Sequence, residues 1–577
     1  MHTEFVSYVR MQATAYGDGR AYTYYREVGL DLFEEVHTFR ELDRRARATA
    51  AWLGGQPEAD RPVLLLYVDA IDFLPAFLGC LYAGVVAVPA PLPHDAESRR
   101  RLAGMLDDAD IGMVLTTSGV GDLVTSWLRD NGRAGTVSWV STDSGRLGDA
   151  DAWRMPELGG DTVAFLQYTS GSTSEPKGVV VTHGNLLHNE GTITEAIGID
   201  DSSTGVSWLP HFHDMGLIGM LAAIYAGADL VMMSPLAFLK RPVRWLELID
   251  RHGAQFTVAP NFAYDLVARR VTDAQLAGLD LSSLKVALNG AEPVRSRTLD
   301  AVVDRLGTAG FPAAAFTAAY GMAEVTLLAT AGEIAAPPRT IDVDAAALEH
   351  HEAVPCTGDR GVRLVSCGRP RDLDIRIVDP DTGIALPDNR VGEVWIRGSS
   401  VTAGYWNRPD ETDERFGAHL GGEGPFLRTG DLGLRHRDEL FVTGRLTDLL
   451  IVNGRNLYPQ DVEEVVREVH PALEAAAGVA FSVETGDRER LLVIQEVRTS
   501  LLAGLAPADL AALIKIAVAR HFDVPAPDVV LLDRRGVHRT TSGKVQRRAM
   551  RKSFLADAFT PLHEDLTPTV QRLRATV

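Results

Sequence analysis

Short runs rich in β-branched residues recur along this chain, and longer amphipathic stretches separate them. "RPVLLLYV", "GVVAVPA", "IGMVLTT", "GADLVMM" and "LKVALNG" are the clearest. Strands joined by helical crossovers have both faces covered, so this alternation specifies parallel βαβ layers. Their loops at the carboxyl ends of the strands are then available to ligands. Thr38 to Glu41 reads T-x-x-E, a capping box, and Leu42, Ala46, Ala50 and Leu53 follow at helical spacing, so a helix starts there. The longest uncharged run, Phe73 to Pro93, has the length of a membrane span but contains four prolines and two glycines. It reads as a buried helix followed by a buried strand.

From about Ile375 the texture changes. "LDIRIVD", "GEVWIRG", "GPFLRTGDLG" and "ELFVTGR" are short strands at close intervals, as in an antiparallel sheet. After Gly444 a small α+β domain is expected. A chain of 577 residues exceeds what one core organises. The predicted layout is α/β: a large domain over 1–443, a hinge at 444–448 and a small domain over 449–577. The large domain is expected to hold two βαβ-layered subdomains and a β-barrel-like one. Residues 331–363 read as a weakly patterned insertion.

A net charge of −20 disfavours nucleic acid and anionic membrane as partners. The polar opening shows no secretion signal, and three cysteines form neither a disulfide framework nor a metal-site spacing, so the cytoplasm is the expected compartment. Between Arg534 and Lys552 stand eight lysines and arginines and no acid. Such a cluster is either a solvated face or a site for an anion or acidic partner.

The chemistry begins at "VAFLQYTSGSTSEPKG". A buried strand leads into a loop offering Thr169, Ser170, Gly171, Ser172, Thr173 and Lys177, and hydroxyls, exposed N–H groups and a lysine suit a polyphosphate. It is not a Walker A loop, because Pro176 and Gly178 stand where glycine and a hydroxyl residue are required.

That stretch, with "AAYGMAEVT", "RTGDLG", "VTGRLTDLLIVNGRNLYPQDVE" and "RTTSGKVQR" in this order, resembles the adenylate-forming superfamily. "WLPHFHDMGLIG", "APNFAYDL" and "LNGAEPVR" are similar, within it, to the fatty acyl-AMP ligases. The resemblance implies ATP and Mg2+ as cofactors, with Tyr320 stacking on adenine, Glu324 as the metal ligand and Asp431 accepting the ribose hydroxyls. Arg445 would hold the ribose or phosphate side. Asn289, Gly290, Ala291, Gly321 and Met322 would complete the nucleotide site. His213, Asp214, Met215, Asn261 and Ala319 would line the acyl side, with His213 near the reacting carboxylate. A metal held by His211, His213 and Asp214 is the weaker reading of "HFHD".

Joining a carboxylate to the α-phosphate brings two anions together, so a cation delivered to a dry site lowers the barrier. Lys544 is matched to that role, and the resemblance implies that the small domain turns after adenylation, pivoting at Thr447 or Asp448. It also implies a fatty acid substrate, and an acyl carrier protein as acceptor through its phosphopantetheine thiol. Membrane insertion is not expected. Three alternatives stand: a fatty acyl-CoA synthetase; an amino-acyl adenylating enzyme, with Asp214 pairing the amine; and a nucleotide-binding regulator without catalysis.

Overall fold

The computed structural model describes all residues except 1–2, 30, 146, 170–175, 358–360, 453–454, 475, 486–487, 540–544 and 575–577. Two mixed sheets share one core. The nine-stranded sheet runs Arg369–Pro370, Leu328–Ala331, Phe316–Gly321, Val286–Gly290, Phe256–Pro260, Thr204–Ser207, Asp229–Met233, Ala21–Val28, Asp31–Thr38. Its interior neighbours pair in parallel and its margins antiparallel. The six-stranded sheet runs Ser138–Ser141, Met113–Thr116, Val63–Leu66, Ala87–Ala90, Val163–Thr169, Lys177–Thr182, antiparallel at the last pair alone.

The expected parallel strands are all present, and their unbroken hydrophobicity has a geometric cause. Successive side chains of a strand point to opposite faces. Val63 and Leu65 join the core between the sheets, while Leu64 and Leu66 enter a second core on the far side. Leu230 and Met232 divide from Val231 and Met233 in the same way. Helices Phe39–Leu53, Ala70–Ala83, His183–Ile197 and Asp214–Ala226 contribute to the shared core.

The run from Phe73 to Pro93 does resolve into helix Ala70–Ala83 and strand Ala87–Ala90. Thr38 caps helix Phe39–Leu53 by accepting from Glu41 N at 3.2 Å. The reciprocal half of that capping box is missing, because the Glu41 carboxylate accepts from Arg44 and Arg45 instead.

The antiparallel region is a five-stranded sheet of Asp374–Val378, Gly392–Arg397, Glu423–His436, Ala418–Leu420 and Glu439–Arg445. The insertion is more ordered than its composition suggests. Thr340–Asp344 pairs with Gly361–Val365, and helix Ala345–Glu349 lies between them in sequence. Glu349 accepts from Arg455 Nε and Nη2 at 2.6 and 2.8 Å, and Asn456 donates to the Glu349 carbonyl at 3.0 Å. Those two residues belong to the strand pair Leu450–Val452 and Arg455–Leu457, so the insertion is tied to the start of the small domain.

The small domain has a four-stranded sheet, Gly478–Thr485, Arg488–Glu496, Asp528–Leu532 and His563–Asp565, with a core on each face. Its helix Pro459–Glu468 lies against the large domain. Arg297 pairs with Glu464 at 2.7 Å and Glu468 at 3.3 Å, Arg295 pairs with Glu464, and Arg269 donates to the Glu474 carbonyl at 2.8 Å. Burial against this seam pushes the Asp461 carboxyl up to about 6, with Arg295 opposing the shift.

Candidate active site

Three adjacent parallel strands, Phe256–Pro260, Val286–Gly290 and Phe316–Gly321, end at Asn261, Asn289 to Ala291 and Tyr320 to Met322. Ala291 takes φ 66°, a conformation that costs a residue with a Cβ and turns the main chain away from the sheet. Gly321 has no alternative, since a Cβ there would lie 1.7 Å from the Leu327 carbonyl oxygen. The turn after Gly321 leads into the short helix Ala323–Val325, which carries Glu324. Ala319 is buried one residue earlier.

The long strand Glu423–His436 carries Asp431 opposite Arg445. Asp431 accepts from the Tyr320 hydroxyl at 2.8 Å and pairs with Arg445 Nε at 3.1 Å. Asp431 itself is 6% exposed. Its charge raises the Arg445 pKa, while burial first and Asp431 second push the Tyr320 phenol well up. Glu324, also 6% exposed, accepts from Tyr405 Oη at 2.8 Å, and its carbonyl accepts from Thr402 N at 2.9 Å. An aromatic ring, two carboxylates and a guanidinium therefore converge at the carboxyl ends of the strands, where open α/β sheets bind ligands.

Thr169 and Lys177 face each other across the antiparallel pair Val163–Thr169 and Lys177–Thr182. Ser170, Gly171, Ser172 and Thr173 lie outside the described residues. The Tyr168 ring crosses Gly178 closely, 3.1 Å from where a Cβ would stand, and the Tyr168 hydroxyl donates to Asp108 at 2.7 Å. Lys177 pairs with Glu411 and sits 5.4 Å from the Tyr405 ring centroid. Tyr405, Glu411 and Thr402 escaped the sequence reading. "GYWNRPDETDERF" follows no spacing that sets it apart, and only the fold brings it to the site.

A family model described as an AMP-binding enzyme matches residues 9–406. The chain belongs to that family. A medium-chain-fatty-acid–[acyl-carrier-protein] ligase, JamA, from Moorena producens (strain JHB) is 42% identical over 530 residues, covering 90% of each chain. A long-chain-fatty-acid–AMP ligase, FadD26, from Mycobacterium marinum (strain ATCC BAA-535 / M) is 36% identical, covering 92% of this chain and 93% of that one. Among solved structures, a fatty acyl-adenylate ligase from L. pneumophila in complex with acyl adenylate and pyrophosphate matches with TM-score 0.75. It is 34% identical and the match covers 97% of each chain. A fatty acyl-adenylate ligase from work on E. coli and L. pneumophila matches with TM-score 0.86 at 29% identity, covering 96% of this chain and 97% of that one.

In this AMP-binding enzyme the "HFHD" residues do not gather as metal ligands. Among the described residues no group of three or more His, Cys, Asp or Glu could hold a metal. His211 is buried with its ring 4.6 Å from that of Phe73, and burial lowers its pKa to about 3, so it stays neutral. His213 is the N-cap residue of helix Asp214–Ala226. Asp214 accepts from Met215 N at 2.7 Å in the first turn, the place where a carboxylate favours a helix. Met215 is buried behind it. Asn261 is engaged by the segment that follows strand Val286–Gly290: its Oδ1 accepts from Asn289 Nδ2 and Arg295 N, both at 3.2 Å, and its amide donates to Thr298.

Lys544 lies outside the described residues, but its flanks do not. Arg539 bridges Val545, burial lowers the Arg539 pKa, and the charges around it include Glu292 and Arg269 of the large domain. One member of the basic run is engaged inside the protein. Arg547 donates to both Glu463 oxygens at 2.9 and 3.0 Å and pairs with Asp448 at 3.3 Å. Reversing its charge would place three acids together, so it cannot probe partner docking. Thr447 and Asp448 close the short turn Leu446–Asp448, and Asp448 is thereby linked to helix Arg547–Leu555.

Proposed function

We propose that this enzyme activates a fatty acid with ATP, giving acyl-AMP and pyrophosphate, and then passes the acyl group to the phosphopantetheine thiol of an acyl carrier protein. The observation that carries the reading is the buried Tyr320–Asp431 hydrogen bond, extended by the exposed Arg445, whose charge environment includes Glu324, in a chain whose relatives are named as fatty acid ligases. Tyr320 offers a flat platform for a base, and Asp431 offers acceptors for a ribose.

Magnesium ions are bound by one or two carboxylates together with nucleotide phosphates. Glu324 fits that pattern, as a single carboxylate outside any three-acid cluster. When bound, the ion would neutralise phosphate charge. The chain's own part is to aim Glu324, through Tyr405, at the space beside Lys177.

Two features support a plain fatty acid and a carrier protein. The relatives are named for fatty acids, and one Asp214 oxygen already accepts from Met215 N; both favour the fatty acid over the amino-acyl alternative. The Glu349–Arg455 tie fastens the insertion to the small domain, and insertions at this position are associated in fatty acyl-AMP ligases with failure to use coenzyme A. We place the hinge at 446–448 and the protein in the cytoplasm. No helix among the described residues is long and apolar enough to cross a membrane.

The deciding assay traps acyl-adenylate with hydroxylamine over a panel of fatty acids, then repeats the reaction with coenzyme A and with a phosphopantetheinylated carrier. Acyl-hydroxamate and acyl-carrier are expected, without acyl-CoA. Acyl-CoA at the rate of acyl-carrier would favour the synthetase alternative. Absence of pyrophosphate release with every acid would favour the regulator. In the same assay Lys544→Ala is expected to slow adenylate formation about a hundredfold or more, yet spare transfer from preformed acyl-AMP. Equal loss of both half-reactions would contradict the two-pose scheme.

A further inference from the structure

A second acid sits where the phosphate groups of a nucleotide are expected. Helix Pro409–Phe416 approaches the strand Lys177–Thr182 closely because residue 404 is glycine: at φ 120°, a Cβ there would lie 2.2 Å from Thr412 Cγ2. Thr412 Oγ1 accepts from Tyr405 N at 2.9 Å, which fixes the helix to the preceding segment. That segment forms a β-bridge to the hairpin strand Lys177–Thr182, with Val180 N donating to the Gly404 carbonyl at 2.9 Å and Trp406 N to the Gly178 carbonyl at 2.8 Å. The result is to present Glu411, in the first turn of the helix, to the Lys177 ammonium.

We propose that Glu411 is a built-in counter-ion for Lys177, displaced by the β- and γ-phosphates of ATP and restored when pyrophosphate leaves, so that it sets how strongly the site holds a polyphosphate relative to AMP. This rests on the ATP-dependent reading above.

Three observations fit an exchangeable pair. The side chains are 25% and 32% exposed, so an incoming anion can reach the ammonium. Glu411 also accepts from Arg408 at 3.1 Å, and Arg408 in turn holds Asp108 at 2.9 Å, so the carboxylate keeps a cation after Lys177 departs. The Lys177 ammonium stands 5.4 Å from the Tyr405 ring centroid, and the Tyr405 hydroxyl is fixed on Glu324, so the ammonium is already near the other predicted phosphate-side group. The Glu411 carboxyl is held below the usual carboxylate range, chiefly by the Lys177 hydrogen bond. A competitor inside the protein lowers the apparent affinity of a ligand by the fraction of time it occupies the binding group.

The test is equilibrium binding of α,β-methylene-ATP and of AMP by calorimetry, on wild type, Glu411→Gln, Lys177→Ala and the double variant. For a partly exposed ion pair the expected gain is about three- to fivefold tighter binding of the ATP analogue by Glu411→Gln. AMP affinity should stay within about twofold, and the gain should vanish when Lys177 is already alanine. A thermal melt of each variant checks the fold, and Glu411→Asp, which keeps the charge on a shorter stem, is expected to fall between wild type and Glu411→Gln.

Unchanged or weaker analogue binding in both Glu411 variants would overturn the proposal. So would an equal gain for AMP, or a gain that persists without Lys177, which would mark a general effect of removing one negative charge. A wild-type protein that binds neither nucleotide would instead sink the adenylation reading itself.

Discussion

Replacing Asp431 with alanine is expected to weaken AMP binding and pyrophosphate exchange by roughly a hundredfold or more, with the fold retained. The carboxylate is the shared acceptor of the Tyr320 hydroxyl and the Arg445 guanidinium. Its removal leaves a buried phenol without its acceptor, at a cost of about 1–3 kcal/mol, and frees Arg445 beside the base platform. The same change deletes the acceptors proposed for the ribose, and hydrogen bonds to a charged group are each worth about 1.5–3 kcal/mol. The first loss falls on the folded protein, and the ribose contacts fall on the ligand. Tyr320→Phe separates the two contributions: it removes the phenol's demand for an acceptor and keeps the ring, and should cost only a few-fold. Calorimetric AMP binding by both variants decides the matter. Asp431→Ala within threefold of wild type would remove Asp431 from the nucleotide site.

Glu190 carries the largest expected effect on stability. It lies on helix His183–Ile197 with no exposed surface, and neither carboxyl oxygen has a partner among the described residues. Desolvation raises its pKa well above 4.5, so the folded protein keeps this proton where the unfolded chain releases it. The sign follows from that difference. Stability is undiminished below about 4.5 and falls as pH climbs toward the folded value, by about 1.4 kcal/mol per pH unit. Glu190→Gln preserves the shape and cannot ionise. It is expected to raise the melting temperature at pH 8 by roughly 2–5 °C, with the advantage shrinking steadily toward pH 5. Melts across that range check it. A variant less stable than wild type at every pH would show that the carboxyl serves as a paired anion.

Local chemistry was legible in the residues, and spatial neighbours were not. The Thr38 cap, the buried helix and strand of residues 70–90 and the change to antiparallel pairing all follow from interactions between residues close in sequence. Strand order does not. Asp229–Met233 lies beside Ala21–Val28, some two hundred residues earlier, because both bury one face in the same core. The site divides similarly. Asp431 and Tyr320 stand in recognisable stretches, whereas Glu411 and Tyr405 matter only because a bridging segment carries them across the Val163–Thr169 and Lys177–Thr182 hairpin. Arg547 shows the same limit. A lysine- and arginine-rich run looks solvated until Glu463 and Asp448, distant in sequence, are found against it.

The bond between Glu349 and Arg455 has a mechanical consequence. It anchors the insertion to the strand pair directly after the hinge we place at 446–448, where a small displacement near the pivot swings the far end of the small domain widely. If the small domain turns as proposed, the insertion must travel with that strand pair or release this bond. Lengthening the insertion or cutting its acid should therefore change how far the domain travels before it changes how well the chain folds.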